Sequence, residues 1–174
     1  RPVEPDREVK SVSHEETYAY DHVEHEPLRA EAVRMADAVA GRQRRARLTG
    51  RTVSIKVRFG DFTTITRSHT FPAPVDGGPT IARAAIELLD QLDVGPGVRL
   101  FGVGVSNLVE GAARQLSLDD ALVTGWDDAT RAVDEVRARF GDRAVGPGTL
   151  AGGGGLRVKR QGYTQGGPME GPSA

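Results

Sequence analysis

The chain has 174 residues, 38% of them apolar, and a net charge of −1. That length gives one domain with a tail, around a core of modest size. Cysteine is absent, which excludes a disulfide framework, thiol chemistry and a cysteine-based zinc site, and no apolar run is long enough to span a bilayer.

Residues 1–9, with Pro2 and Pro5 among charges, read as a linker. Residues 10–20, KSVSHEETYAY, read as a first strand. Pro27 opens a helix, where its missing N–H costs nothing. Leu28, Ala32, Met35, Ala36 and Val39 form the apolar stripe of that helix, Gly41 lies inside the pattern, and Leu48-Thr49-Gly50 lies beyond its end. Arg51–Phe71 then reads as a β-hairpin with two unlike faces. Val53, Ile55, Val57 and Phe59 alternate with Ser54, Lys56 and Arg58, and a strand sends alternate side chains to opposite faces. Gly60-Asp61 marks the turn. Thr64, Thr66 and Ser68 share one face of the return strand, and Thr63, Ile65 and Arg67 share the other.

Pro72, Pro74 and Gly77-Gly78-Pro79 break the strand pattern. Thr80 is the candidate N-cap of a second helix, with Ile81, Ala85, Leu88 and Leu92 on one face and Gly95-Pro96-Gly97 at its end. Val98–Leu108 reads as a last, central strand. The order β-α-β-β-α-β is that of ferredoxin-like α+β domains. It predicts a four-stranded antiparallel sheet over residues 10–110, with two helices on one face and the other face open.

Residues 111–145 form a separate segment. Within it Trp126, Ala129, Val133, Val136 and Phe140 form a narrow helical seam, a pattern more often core than a partner-binding face where a folded domain receives it, and Gly141 ends the helix. From residue 146 to 174 Gly and Pro dominate, and the composition predicts a disordered tail. No secretory signal is visible and the first residue is Arg1. The expectation is a cytoplasmic piece of a longer protein.

Charge is segregated along the chain. Residues 1–41 carry a net −5, residues 42–114 a net +5 and residues 115–174 a net −1. A basic middle suggests an anion-binding surface. Part of it, the run Arg42, Arg44, Arg45 and Arg47, also suits the C-terminal end of a helix through its dipole. Hydroxyls beside cations on an open sheet face suit a phosphate backbone, since they bond to it without reading base identity. The histidines His14, His22 and His25 do not have the spacing of a zinc ligand set. Asp119-Asp120 and Asp127-Asp128 read as acids near a helix start rather than as a two-metal site.

Four segments resemble the C-terminal part of the Y-family DNA polymerases, the bacterial DNA polymerase IV group most closely. They are Lys10-Ser11-Val12 with Glu16-Thr17; Gly50-Arg51-Thr52-Val53 leading to Lys56-Val57-Arg58; Phe62 followed by Thr66-Arg67-Ser68-His69-Thr70; and Arg99 to Leu108, RLFGVGVSNL. The resemblance covers about residues 1–120 and implies the little-finger domain, preceded by the linker from a thumb. It implies that Lys10, Ser11, Lys56, Arg58, Thr66, Arg67 and Ser68 hold primer–template backbone. Arg67 shares its alternation phase with Ile65, so that role needs a bulge or a register shift. The palm, with its Mg²⁺-binding carboxylates, lies outside the segment, so no cofactor and no catalytic residue is expected here. Gln115-Leu116-Ser117-Leu118 resembles the sliding-clamp-binding peptide of these polymerases, although Asp119-Asp120 follow where that pattern places a further large apolar residue. The partners implied are DNA, a sliding clamp and the rest of a parent polymerase, with no membrane.

A rival reading is a stand-alone RNA-recognition-like domain of the same element order. Arg58-Phe59-Gly60-Asp61-Phe62 hints at its aromatic motif, but few aromatics remain to stack on bases.

Overall fold

The computed structural model describes residues 10–110 and 124–151. Strand β1 runs Ser11–His22, helix α1 His25–Arg45, β2 Leu48–Phe59, β3 Thr64–Val75, α2 Gly78–Asp90, β4 Val98–Glu110 and α3 Thr124–Phe140. The first six elements have the expected order. All pairings are antiparallel, and the sheet order is β1-β4-β2-β3. Strand β4 therefore separates β1 from β2, and β2 separates β4 from β3. Each strand–helix–strand unit is split by a strand of the other, which ties both halves into one sheet.

One face of the sheet carries the core. Val53, Ile55, Val57, Phe101, Val103 and Val105 meet Leu28, Ala32, Met35, Ala36 and Val39 of α1 and Ile81, Ala85, Leu88 and Leu89 of α2. The apolar stripe read for α1 is fully buried. Removing that much apolar surface from water is the main driving force for the fold, at about 25 cal/mol per Å². The rim of this layer is polar. The Tyr18 hydroxyl donates to Glu31 at 3.2 Å, Glu31 binds Arg34 at 2.6 Å, and Glu16 lies between His14 and Arg34. Part of the acidic charge of the first 41 residues is thus engaged on the helix side of the domain.

Several boundaries differ from the sequence reading. Strand β3 continues through Pro72 and Pro74 to Val75. It is an edge strand, where a missing N–H need not remove a ladder bond, and its register against β2 slips between Gly50 and Thr52. Helix α2 begins at Gly78 behind an N-cap at Gly77, so Thr80 lies inside the helix and does not cap it. Pro79, with φ already set for a first helical turn, moves the start forward. The same helix stops at Asp90, well before Gly95-Pro96-Gly97. Leu92 and Val94 are buried beyond it, and the Leu92 carbonyl accepts from His25 Nε2 at 2.9 Å.

Helix α3 ends at Gly141, whose φ is +98°. Its seam does not become core as expected: Val133 and Val136 are half-buried, Ala129 is exposed and Phe140 is 72% exposed. Polar contacts fasten this helix instead. Arg44 binds Asp134 at 2.6 Å, and Arg137 binds Asp37 at 2.7 Å. A short 3-10 turn, Gly148–Leu150, occupies the start of the stretch expected to lack structure. Among the described residues no helix is long and apolar enough to cross a membrane.

Candidate nucleic-acid interface

The face of the sheet opposite the helices is built by register. Four cross-strand rows run over β1, β4, β2 and β3 in that order. They are Ser11, Ser106, Thr52, Thr70; then Ser13, Gly104, Ser54, Ser68; then Glu15, Gly102, Lys56, Thr66; and last Thr17, Leu100, Arg58, Thr64. The alternation that buries Val53, Ile55 and Val57 turns every second residue outward. With strands about 4.8 Å apart, the outer two lie about 14 Å from each other.

Hydroxyls dominate these rows. The Asn107 amide donates to Thr52 at 2.7 Å, and the Thr52 and Thr70 hydroxyls lie 3.0 Å apart. The cations sit toward the turn end. Arg58 Nε donates to the Thr64 hydroxyl at 3.0 Å, and Lys56 Nζ donates to Glu15 at 3.2 Å. At the turn itself the Thr63 backbone N–H and then its hydroxyl hold the Asp61 carboxyl below its ordinary pKa. Down the middle, Gly102 and Gly104 leave a shallow trough. A Cβ at Gly102 would lie 2.8 Å from the Glu15 Cβ, and one at Gly104 would lie 3.1 Å from the Ser13 Cβ.

The structure brings together Ser11, Lys56, Arg58, Thr66 and Ser68 on this one face, and exposed Lys10 stands just before β1. It does not bring Arg67 there. Arg67 pairs with Ile55, and the register runs without a shift from Thr52 to Arg58. The bulge that would have turned Arg67 outward is not in this stretch. Arg67 is exposed at the sheet edge on the helix side, and its Nη1 donates to the Thr66 carbonyl at 3.1 Å.

Sequence reasoning missed Ser13, Glu15, Thr17 and Ser106 as members of the face. The alternation of β1 carried the signal, with small or polar residues at each odd position from Ser11 to Thr17. Only the pairing with β4 shows which face they join. Gln115, Leu116, Ser117 and Leu118 lie outside the described residues, as do Asp119 and Asp120 and the side chains of Asp127 and Asp128. Among the described residues no group of three or more His, Asp or Glu side chains converges.

The aromatic motif of the rival reading is split. Phe59 is 6% exposed and belongs to the core, while Phe62 is 75% exposed in the turn with φ +69°. None of the residues in the four rows is aromatic.

Comparison with known proteins agrees with this architecture. A Y-family DNA polymerase chimera superposes with a TM-score of 0.55 at 17% identity, over 64% of this chain and 32% of that one. The fold is therefore shared with part of a Y-family DNA polymerase. The chain belongs to the impB/mucB/samB family, whose C-terminal domain matches residues 9–118. It is 46% identical over 110 residues to the DNA polymerase IV of Streptomyces coelicolor, covering 63% of this chain and 23% of that protein. It is 33% identical over 150 residues to the DNA polymerase IV of Dehalococcoides mccartyi, covering 85% of this chain and 38% of that protein. The chain thus spans well under half the length of these curated relatives.

Proposed function

We propose that this chain is a non-catalytic DNA-binding and clamp-tethering module of a translesion DNA polymerase of the polymerase IV kind. The observation that carries the reading is the open sheet face, with hydroxyl rows and two cations turned away from both helices. Hydroxyl and ammonium donors at these spacings bond to phosphate oxygens and carry no base readout. The outer strands, about 14 Å apart, are wider than the roughly 12 Å major groove. The sheet therefore lies across the groove and meets phosphates of both strands at its rims. Lys10, Ser11, Lys56, Arg58, Thr66 and Ser68 hold the backbone, and Arg67, on the helix side, is a structural cation.

The segment Gln115–Leu118 supplies the second contact, to a sliding clamp. Two tethered contacts raise local concentration at the replication site without demanding a tight grip from either. Nucleotidyl transfer, with its Mg²⁺, belongs to the other domains of the parent polymerase, which acts on chromosomal DNA in the bacterial cytoplasm.

The test is titration of labelled DNA duplexes of two unrelated sequences with the chain and with Lys56→Ala and Arg58→Ala. Each change weakens binding equally on both sequences. Each also lowers the slope of log affinity against log salt by about 0.9 for every phosphate no longer neutralised. Unchanged affinity and slope in both variants would remove this face from the interface.

A further inference from the structure

We propose that Glu15 is a built-in competitor for the phosphate held by Lys56, and that this carboxylate limits how tightly the open face grips a nucleic-acid backbone. The inference rests on the reading of that face given above. Lys56 Nζ meets Glu15 Oε2 at 3.2 Å. The two residues stand on β2 and β1, with β4 between them. They touch because Gly102 fills the intervening position of their row with no side chain. A Cβ there would crowd the Glu15 Cβ at 2.8 Å. The glycine thus opens a passage across the central strand that the ion pair occupies.

Glu15 is the one carboxylate in the four rows. Its neighbour Glu16 is turned to the helix side, near His14 and Arg34. The Lys56 and Glu15 side chains are 38% and 50% exposed, so a phosphate can reach the ammonium from solvent. A phosphate oxygen and a carboxylate oxygen are the same kind of acceptor for an ammonium. Binding DNA must draw Lys56 away from Glu15 and leave an unpaired carboxylate beside a polyanion. Both costs are electrostatic and salt screens them. A polymerase that must slide after each addition gains from such a brake, because it weakens the grip without removing the cation.

The test is fluorescence anisotropy of a labelled blunt DNA duplex with the whole chain as wild type, Glu15→Gln, Lys56→Gln and the double variant, at low and moderate salt. Thermal melts of all four check the fold, and Gln keeps the shape of Glu. Glu15→Gln is expected to tighten binding about two- to fivefold, the span of exposed ion pairs, and to do so more at low salt. The gain shrinks in the Lys56→Gln background. If Glu15→Gln leaves affinity unchanged or weakens it while Lys56→Gln weakens binding, the proposal fails and the DNA-binding face stands. An equal gain on both backgrounds also overturns it, since the carboxylate would then only repel. If neither Lys56→Gln nor Arg58→Ala alters binding, the face itself is misassigned and the proposal falls with it.

Discussion

Arg44 holds Asp134 through two hydrogen bonds, from Nε at 2.6 Å and from Nη2 at 2.9 Å, across ninety residues of chain. Its remaining nitrogen, Nη1, donates to the Asp76 carbonyl at 2.9 Å. One guanidinium thereby joins α1, the loop between β3 and α2, and α3. Planar two-point contacts of this kind are the strong form of ion pair. They attach α3 where its half-covered apolar seam does not.

The docking of α3 follows the charge of Asp134. Its pKa is held below the ordinary carboxylate value, first by the hydrogen bond from Arg44, against partial burial. A depressed folded-state pKa contributes stability that is complete above the unfolded value and is lost as pH falls through the folded one. Helix α3 is expected to loosen below about pH 4 while the sheet domain stays folded. Arg44→Ala has the same effect at neutral pH, at a cost of about 1 kcal/mol. Trp126 lies in α3 and is the only tryptophan of the chain. A fall in its fluorescence anisotropy reports the release, and an anisotropy unchanged by Arg44→Ala would assign the docking to other groups.

Tyr18 predicts the alkaline limit of the fold. Burial first, and then the neighbouring Glu31 carboxylate, raise the pKa of its hydroxyl well above the tyrosine norm. A raised folded-state pKa gives stability that is full below the unfolded value of about 10 and is lost as pH rises past it. The Tyr18 phenol should ionise only as the domain opens, so its tyrosinate absorbance and the loss of circular dichroism coincide. Tyr18→Phe removes that sensitivity and costs about 1 kcal/mol at neutral pH for the missing hydrogen bond. A Tyr18 titration that precedes unfolding contradicts the assignment.

Phe59 separates the two readings of the hairpin. It lies in the core and not among the open rows. Phe59→Ala is expected to cost about 3 kcal/mol in urea unfolding, with the nucleic-acid affinity of the folded fraction unchanged. Intact stability together with abolished RNA binding would instead favour base stacking.

The clamp contact is tested apart from the DNA grip. If the clamp contact is made as proposed, Gln115→Ala combined with Leu118→Ala is expected to abolish binding of the chain to an immobilised bacterial sliding clamp and to leave duplex affinity as it was. Clamp binding that survives both changes would place the contact elsewhere on the chain.

Element type was legible wherever a local period was strong. The stripe from Leu28 to Val39 and the alternation from Val53 to Phe59 each announce their element, because both periods follow from backbone geometry within a few residues. Ends were less legible. Pro72 and Pro74 look like breakers until β3 is known to be an edge, where a missing N–H is tolerated.

By itself the sequence determined the order of the first six elements, the apolar faces of α1, α2 and β2, and the polar phase of β2 that carries Lys56 and Arg58. Only the tertiary structure decided that β1 lies against β4. That pairing places Ser11, Ser13, Glu15 and Thr17 beside the hairpin's open face and lets Glu15 reach Lys56 over Gly102. It also decided that Arg67 stays on the helix side, because the β2–β3 register has no shift between Thr52 and Arg58. The reason is physical. Periodicity is a property of neighbours along the chain, whereas strand partners and registers are chosen by how both helices cover one sheet face, a choice made across the whole chain at once.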